Sequence, residues 1–303
     1  MAISDVAIKD KQSAAYSHMG IALQELAGQI PADPSGLYGQ RVIIKTDNVK
    51  IDNNELDCEF IIPFDDDTEA NEAEIIVYNL TSKTINALKK KKKITVTAGY
   101  GKDTGVIFSG YISKTKTSYE DADKITKIWA LDDADRQEKE IESMSFSAGT
   151  KASTILKKLV KKLGLTIAVF KTKRDYTYKD KVTVDGGLMD NIKRYAQICK
   201  VSAYICKSKV YVCPLNHRKC KVFKVKPDTG LLSITEFEET VTAEDYEDTV
   251  KGYECKMLLT HQIETGSIVE IKTKEVSGTY RVREGIHDYS GDEFTTTIKA
   301  ISI

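Results

Sequence analysis

The stretch that most limits what this chain can become runs from Glu72 to Ile112. Glu72-Ala-Glu-Ile-Ile-Val-Tyr-Asn-Leu80 leads into a short helical segment. Ile94-Thr-Val-Thr-Ala-Gly-Tyr100, a turn and Gly105-Val-Ile-Phe-Ser-Gly-Tyr-Ile112 follow. The first run alternates as a strand, with Ile75, Val77 and Asn79 on one side and Ile76, Tyr78 and Leu80 on the other. Both faces are apolar enough to be covered. Thr81 is placed to cap a helix over Ser82 to Lys91, in which Ile85 and Leu88 share a face. Gly101-Lys-Asp-Thr-Gly105 carries the turn chemistry that folds the next two strands together. No side chain in the stretch is a chemical group in waiting. It offers a sheet with strand edges, which suits assembly with other chains.

The 303 residues exceed one average domain and predict two or three. Residues 1–40 hold a short helix through Ile21-Ala-Leu-Gln-Glu-Leu-Ala27 and a linker broken by Pro31, Pro34 and Gly36. Residues 41–148 read as strands with turns between them: Val42-Ile-Ile44, Cys58-Glu-Phe-Ile-Ile62, the central stretch and Ile125-Thr-Lys-Ile-Trp-Ala-Leu131. Residues 149–230 form an α/β insert. There Ile155, Leu156, Leu159, Val160 and Leu163 make a helical stripe stopped at Gly164, and Leu188, Ile192, Tyr195, Ala196 and Cys199 make a second one. A hairpin with Cys206 opposite Lys209 closes the insert. Residues 231–303 return to evenly spaced strands. The fold class is mainly β with an α/β insert: two small antiparallel β-barrel modules flanking a helix-and-strand domain. No sequence-level repeat links the two β runs, only a similar rhythm.

Motifs with chemical meaning resolve to plainer readings. Cys199, Cys206, Cys213 and Cys220 recur every seven residues, without the tight Cys pairs of a zinc site. Hairpin register separates Cys206 from Cys213 by roughly 13 Å, beyond the ~7 Å reach of a disulfide, so buried structural thiols are expected. Asp65-Asp-Asp67 and Glu69 begin like a calcium loop, but Ala70 stands where glycine is required. Gly99-Tyr-Gly-Lys-Asp-Thr-Gly105 lies between strands and lacks a phosphate loop's ending. Lys89 to Lys93 reads as a solvated helix end. Ser109 lacks the first glycine of a nucleophile elbow, Ile107 standing in its place. His18, His217, His261 and His287 are scattered, and nothing selects a catalytic carboxylate pair. No catalytic residue, cofactor site or metal site is predicted.

Forty-five basic residues balance forty-five acidic ones, which leaves no electrostatic footprint for nucleic acid. No apolar run approaches the roughly twenty residues that span a bilayer. The first residues show no signal-peptide pattern, so synthesis in the cytoplasm is expected, with its six cysteines reduced.

Ala73-Glu-Ile-Ile-Val-Tyr-Asn-Leu-Thr, Ile94-Thr-Val-Thr-Ala-Gly-Tyr-Gly and Gly105-Val-Ile-Phe-Ser-Gly resemble the N-terminal module of phage baseplate hub proteins of the late-control-D type, found in contractile tails and phage-tail-like particles. A second similar set is Val250-Lys-Gly-Tyr-Glu-Cys-Lys-Met-Leu-Leu259, Gly266-Ser-Ile-Val, Gly278-Thr-Tyr-Arg-Val282 and His287. The resemblance implies two tail-tube-like β modules and a homotrimer that joins a hexameric tail tube to a central spike. It implies tube, spike and other baseplate proteins as partners, in a particle assembled in the bacterial cytoplasm, with no nucleic-acid binding, membrane insertion or enzyme activity. Strand edges would then meet neighbouring modules, through Glu74, Ile76, Tyr78, Val106, Phe108 and Tyr111. The alternatives are a tail-associated cell-wall hydrolase and a receptor- or carbohydrate-binding tail protein. The latter is supported only by the fifteen tyrosines.

Overall fold

In a computed structural model of the chain, residues 39–66, 70–132, 140–207, 209–214, 222–243 and 246–302 are described. Met1–Gly39 and Gln40–Ile303 are separate units. The helix and linker expected before residue 39 lie outside the described residues, as do Cys220, His18, His217 and the end of the acidic loop.

The chain is mainly β. The first β run contains β1 (Gln40–Lys45), β2 (Lys50–Asp52), β3 (Cys58–Phe64), β4 (Glu72–Tyr78), helix α1 (Ser82–Ala87), β5 (Lys93–Tyr100), β6 (Asp103–Glu120) and β7 (Asp123–Leu131). Next come β8 (Glu140–Phe146), α2 (Ala152–Lys162), β9 (Thr166–Phe170), β10 (Val182–Gly187), α3 (Leu188–Ile198), β11 (Ser202–Cys206) and β12 (Lys209–Cys213). The last run is β13 (Val222–Val225), β14 (Leu231–Ala243), β15 (Tyr246–Leu258), β16 (Ile268–Lys272), β17 (Ser277–Tyr289) and β18 (Thr295–Ser302).

The central stretch folds as its pattern predicts, with two adjustments. Thr81 caps α1 by accepting a hydrogen bond from the Thr84 amide, but the helix stops at Ala87. Lys91 sits at φ 67 and donates its N–H to the Ile112 carbonyl, so the lysine run turns back onto the sheet instead of extending the helix. β6 continues eight residues past Ile112, because Lys114 to Glu120 pair with β7 even though their sequence is polar.

Two separate barrels do not form. Among the described residues no sheet closes, and both β runs belong to one open thirteen-stranded sheet in the order β14-β15-β18-β17-β3-β4-β7-β6-β5-β1-β2, with β16 on β17 and β13 on β16. Regular turn spacing predicts a succession of strands, but closure depends on which edge meets which. Here β3 gives its outer edge to β17.

The sheet order contains a repetition. Strands β3 to β7 lie side by side as β3-β4-β7-β6-β5, and β14 to β18 lie as β14-β15-β18-β17-β16. The register repeats as well. Ile112 faces Ala130 and Lys114 faces Trp129 around a bulge, and Val282 faces Ala300 and Glu284 faces Lys299 around an equivalent bulge. On the next strand Ile94 faces Gly110, and Val269 faces Tyr280. Buried side chains follow the same correspondence: Ile94 with Val269, Val96 with Ile271, Ile128 with Ile298 and Ala130 with Ala300. The copies part at the sixth strand, where β1 runs antiparallel to β5 and β13 runs parallel to β16.

Between the copies, α2 and α3 bury the two predicted stripes, including Ile155, Leu159, Ile192 and Tyr195, in a core shared with Val210 and Val212. The β11–β12 hairpin places Cys206 opposite Lys209, and β9 adds to it in parallel. Cys58, Cys199, Cys206, Cys213 and Cys255 are buried and none forms a disulfide. Desolvation pushes the Cys58 and Cys255 thiols up to about 12, which keeps them protonated and unreactive.

Candidate functional site

The two copies meet at a seam where β3 and β17 pair antiparallel from Gly285 opposite Phe64 to Tyr289 opposite Phe60. One face of this seam is sealed. Phe60, Ile62 and His287 are each 1% exposed, the Phe64 and His287 rings lie 4.9 Å apart, and Tyr289 leans on Phe60 at 5.7 Å. Full burial of each such apolar side chain stabilises the fold by roughly 1.5–3 kcal/mol. His287 Nδ1 bonds Thr296 Oγ1 at 2.9 Å. Burial, with Lys207 and His261 nearby, pushes the imidazole down to about 3 and keeps it neutral.

An ion pair closes one end of the seam. Arg281 on β17 donates to Asp66, just past β3, at 2.7 Å, and Arg283 approaches the same carboxylate at 3.4 Å. Arg281 is 1% exposed, and its guanidinium also lies 6.0 Å from the Tyr204 ring of β11. Contacts from the β15–β16 and β17–β18 loops brace the seam further. His261 Nε2 bonds Asp103 at 3.0 Å and sits against Gly105, where any Cβ would collide with its ring. Lys207 pairs with Glu264 at 3.0 Å, and Tyr100 donates its hydroxyl to the Phe294 carbonyl.

The predicted interface residues are distributed differently from the strand-edge expectation. β4 has β3 on one side and β7 on the other, so its backbone edges are already occupied. Glu74, Ile76 and Tyr78 can reach a neighbour only through their side-chain face, where all three are half-buried. Glu74 accepts from Lys127 Nζ and Trp129 Nε1, and Tyr78 donates to Glu59 at 3.0 Å. Desolvation and that bond raise the Tyr78 phenol above its usual range. On β6, Val106 is 42% exposed and Tyr111 half-buried, while Phe108 is buried inside the unit and offers no surface.

Two edges went unrecognised in the sequence. Among the described residues β14 ends the sheet and pairs only with β15. β6 pairs with β5 only as far as Tyr111, so among the described residues no strand covers that side of its last residues. Tyr119, on this uncovered length, is 75% exposed. The alternation Lys114-Thr-Lys-Thr-Ser-Tyr119 was the available signal, masked by its polarity. Among the described residues no cluster of three His, Cys, Asp or Glu side chains could hold a metal, and no helix is long and apolar enough to cross a membrane.

The family model for baseplate hub gp41 matches residues 68–284, which span β4 to β16 and the first part of β17 and stop just short of the seam. The chain belongs to that family. It is a baseplate hub, a structural component of a phage tail. No curated protein matches it. Among solved structures the fold is similar to the 43 kDa tail protein of prophage MuSo2 from Shewanella oneidensis, with a TM-score of 0.65 and 9% identity over 87% of this chain and 98% of that one. It is similar to a tail protein from Neisseria meningitidis MC58, at TM-score 0.64 and 9% identity over 88% and 97% of the two chains. A third similar structure is an Escherichia coli component of the type VI secretion system, at TM-score 0.59 and 8% identity over 86% and 76%. At these identities the likeness is one of fold.

Proposed function

We propose that three copies of this hub form a ring that joins a sixfold tail tube to a threefold central spike. The reading is carried by one observation: the same five-strand order occurs twice in one chain, in matching register down to the bulge. Three chains with two such units present six similar faces, which lets a threefold object dock on a sixfold one. In this reading each unit contributes one tube-like module (residues 41–148 and 231–303), the helix-and-strand part (149–230) packs outside the ring, and the half-exposed faces around Glu74, Ile76, Tyr78, Val106 and Tyr111 touch neighbouring baseplate proteins. The partners are the tail tube protein and the spike protein. Assembly takes place in the bacterial cytoplasm, and no chemistry is required of the hub.

Light scattering of the purified chain tests this. The expected mass is three times the 33.8 kDa of one chain, with the trimer co-sedimenting with tube and spike proteins. A stable monomer that clears peptidoglycan in a zymogram, or one that binds a glycan array, would replace this reading with the hydrolase or the receptor.

A further inference from the structure

The seam between β3 and β17 is a junction between the two copies, so the repetition specifies a second junction of the same kind. Through the matched registers, β14 stands where β3 stands, since Phe60 faces Ile75 as Ile234 faces Cys255. By the same rule β6 stands where β17 stands. The β17 edge that receives β3 corresponds to the β6 edge beyond Ile112, and that edge has no strand on it among the described residues. The β3 edge that inserts corresponds to the outer edge of β14, which is likewise uncovered. The chain therefore carries both halves of a second seam, on different copies and both open among the described residues.

We infer that these edges pair between copies of the chain: β14 of one protomer adds antiparallel to the end of β6 of the next, with Thr115 opposite Glu238, Thr117 opposite Glu236 and Tyr119 opposite Ile234. The inference rests on the trimeric-hub reading for the number of copies, but the register comes from the intramolecular seam alone. Transferring the β3–β17 pairs of Gly285 with Phe64 and Tyr289 with Phe60 gives this register directly. Local chemistry agrees with the transfer. His287 bonds Thr296 on β18, and Thr117 is hydrogen-bonded to Thr126 at the matching place on β7. Tyr289 packs on Phe60, while its counterpart Tyr119 is 75% exposed and Ile234 is half-buried. The contact is head-to-tail, because the β14 type of edge on one unit always meets the β6 type on the next. Such a contact builds a ring when the rotation closes. The open seam is also more polar than the sealed one, with threonine and glutamate where the seam has His287, Ile62 and Phe64. Charged, polar edges keep a chain soluble until its partner arrives.

Cross-linking tests the register. In a Cys220→Ser background, the Thr117→Cys, Glu236→Cys double variant should form a covalent three-chain species under mild oxidation, because directly opposed Cβ atoms lie about 4.5–5.5 Å apart. Each single variant, and the off-register pair Thr117→Cys with Phe237→Cys, should stay unlinked. A trimer by light scattering without the Thr117–Glu236 link, or with the off-register pair linking as well, overturns the pairing and leaves the trimeric reading standing. A ladder of ever longer species supports the pairing and overturns the closed trimer. A monomer that never links overturns both. Tyr119→Ala should raise the trimer's dissociation constant about tenfold with the thermal transition of the monomer unchanged; an unaltered trimer counts against the pairing.

Discussion

The β3–β17 seam and the pair of open edges on β6 and β14 occupy the same structural position in two copies of one design, and they differ in how they are finished. At the seam the strands are joined within the chain, and the position is filled by Phe60, Ile62, Phe64 and a neutral buried histidine, with a buried Arg281–Asp66 pair at one end. At the open position threonines and glutamates stand exposed or half-exposed. A permanent junction can afford an apolar surface, because that surface is covered as soon as the chain folds. An edge awaiting a second molecule must tolerate water first. The backbone therefore fixes where junctions can form, and the side chains decide when they do.

The sharpest way to break this contrast is to attack the sealed side. Asp66→Ala leaves Arg281 buried without its carboxylate and should cost about 3–5 kcal/mol, read by urea denaturation of the whole chain. A loss below ~1 kcal/mol would mean that the pair behaves like a surface ion pair and that the seam is looser than described. Gly285→Ala is next. A Cβ there would meet the Thr297 carbonyl and the Phe64 ring at 2.5 Å each, so a loss of about 1–3 kcal/mol is expected.

His287 adds a pH dependence that Thr117 cannot supply. Its folded-state value, about 3, lies below the ordinary 6.5, so the unfolded chain takes up a proton that the folded chain refuses. The stabilisation is complete above pH 6.5 and is lost as pH falls toward 3. Between pH 6.5 and 5 the chain should lose about 1.5 kcal/mol, and His287→Gln should flatten that slope whatever it does to the absolute stability. A slope that survives in the variant would assign the effect to other groups. Thr115→Ala, at the counterpart of Gly285, should change the stability of the isolated chain by less than ~0.5 kcal/mol. Stability loss matching that of Gly285→Ala would erase the difference between sealed and open positions.

What could be read in advance was local. The alternation in Glu72 to Leu80, the cap at Thr81, the stripe from Ile155 to Leu163 and the hairpin register at Cys206 all depend on neighbours a few residues away, and all appear in the fold. The interface residues were placed by the same local reading, which could not show whether their backbone edges stay free. A strand looks like an edge until its partners are known, and β4 has two. The length of β6 was hidden because Lys114 to Glu120 gain strand structure from β7, not from their own propensity. Nothing in the sequence marks Arg281 for burial, since arginines are usually exposed; its partner Asp66 comes from a loop more than two hundred positions away.

From its order of residues alone the chain was committed to being mainly β, with two amphipathic helices between two β runs and a family likeness to baseplate hubs. The repetition of the two runs was settled only in three dimensions. Ile94 and Val269, or Ile75 and Cys255, are equivalent because they fill the same buried place, and filling a place requires volume and apolarity rather than a particular residue. The seam was likewise beyond the sequence, since pairing β3 with β17 depends on which edges remain unsatisfied after every nearer strand has found its neighbour.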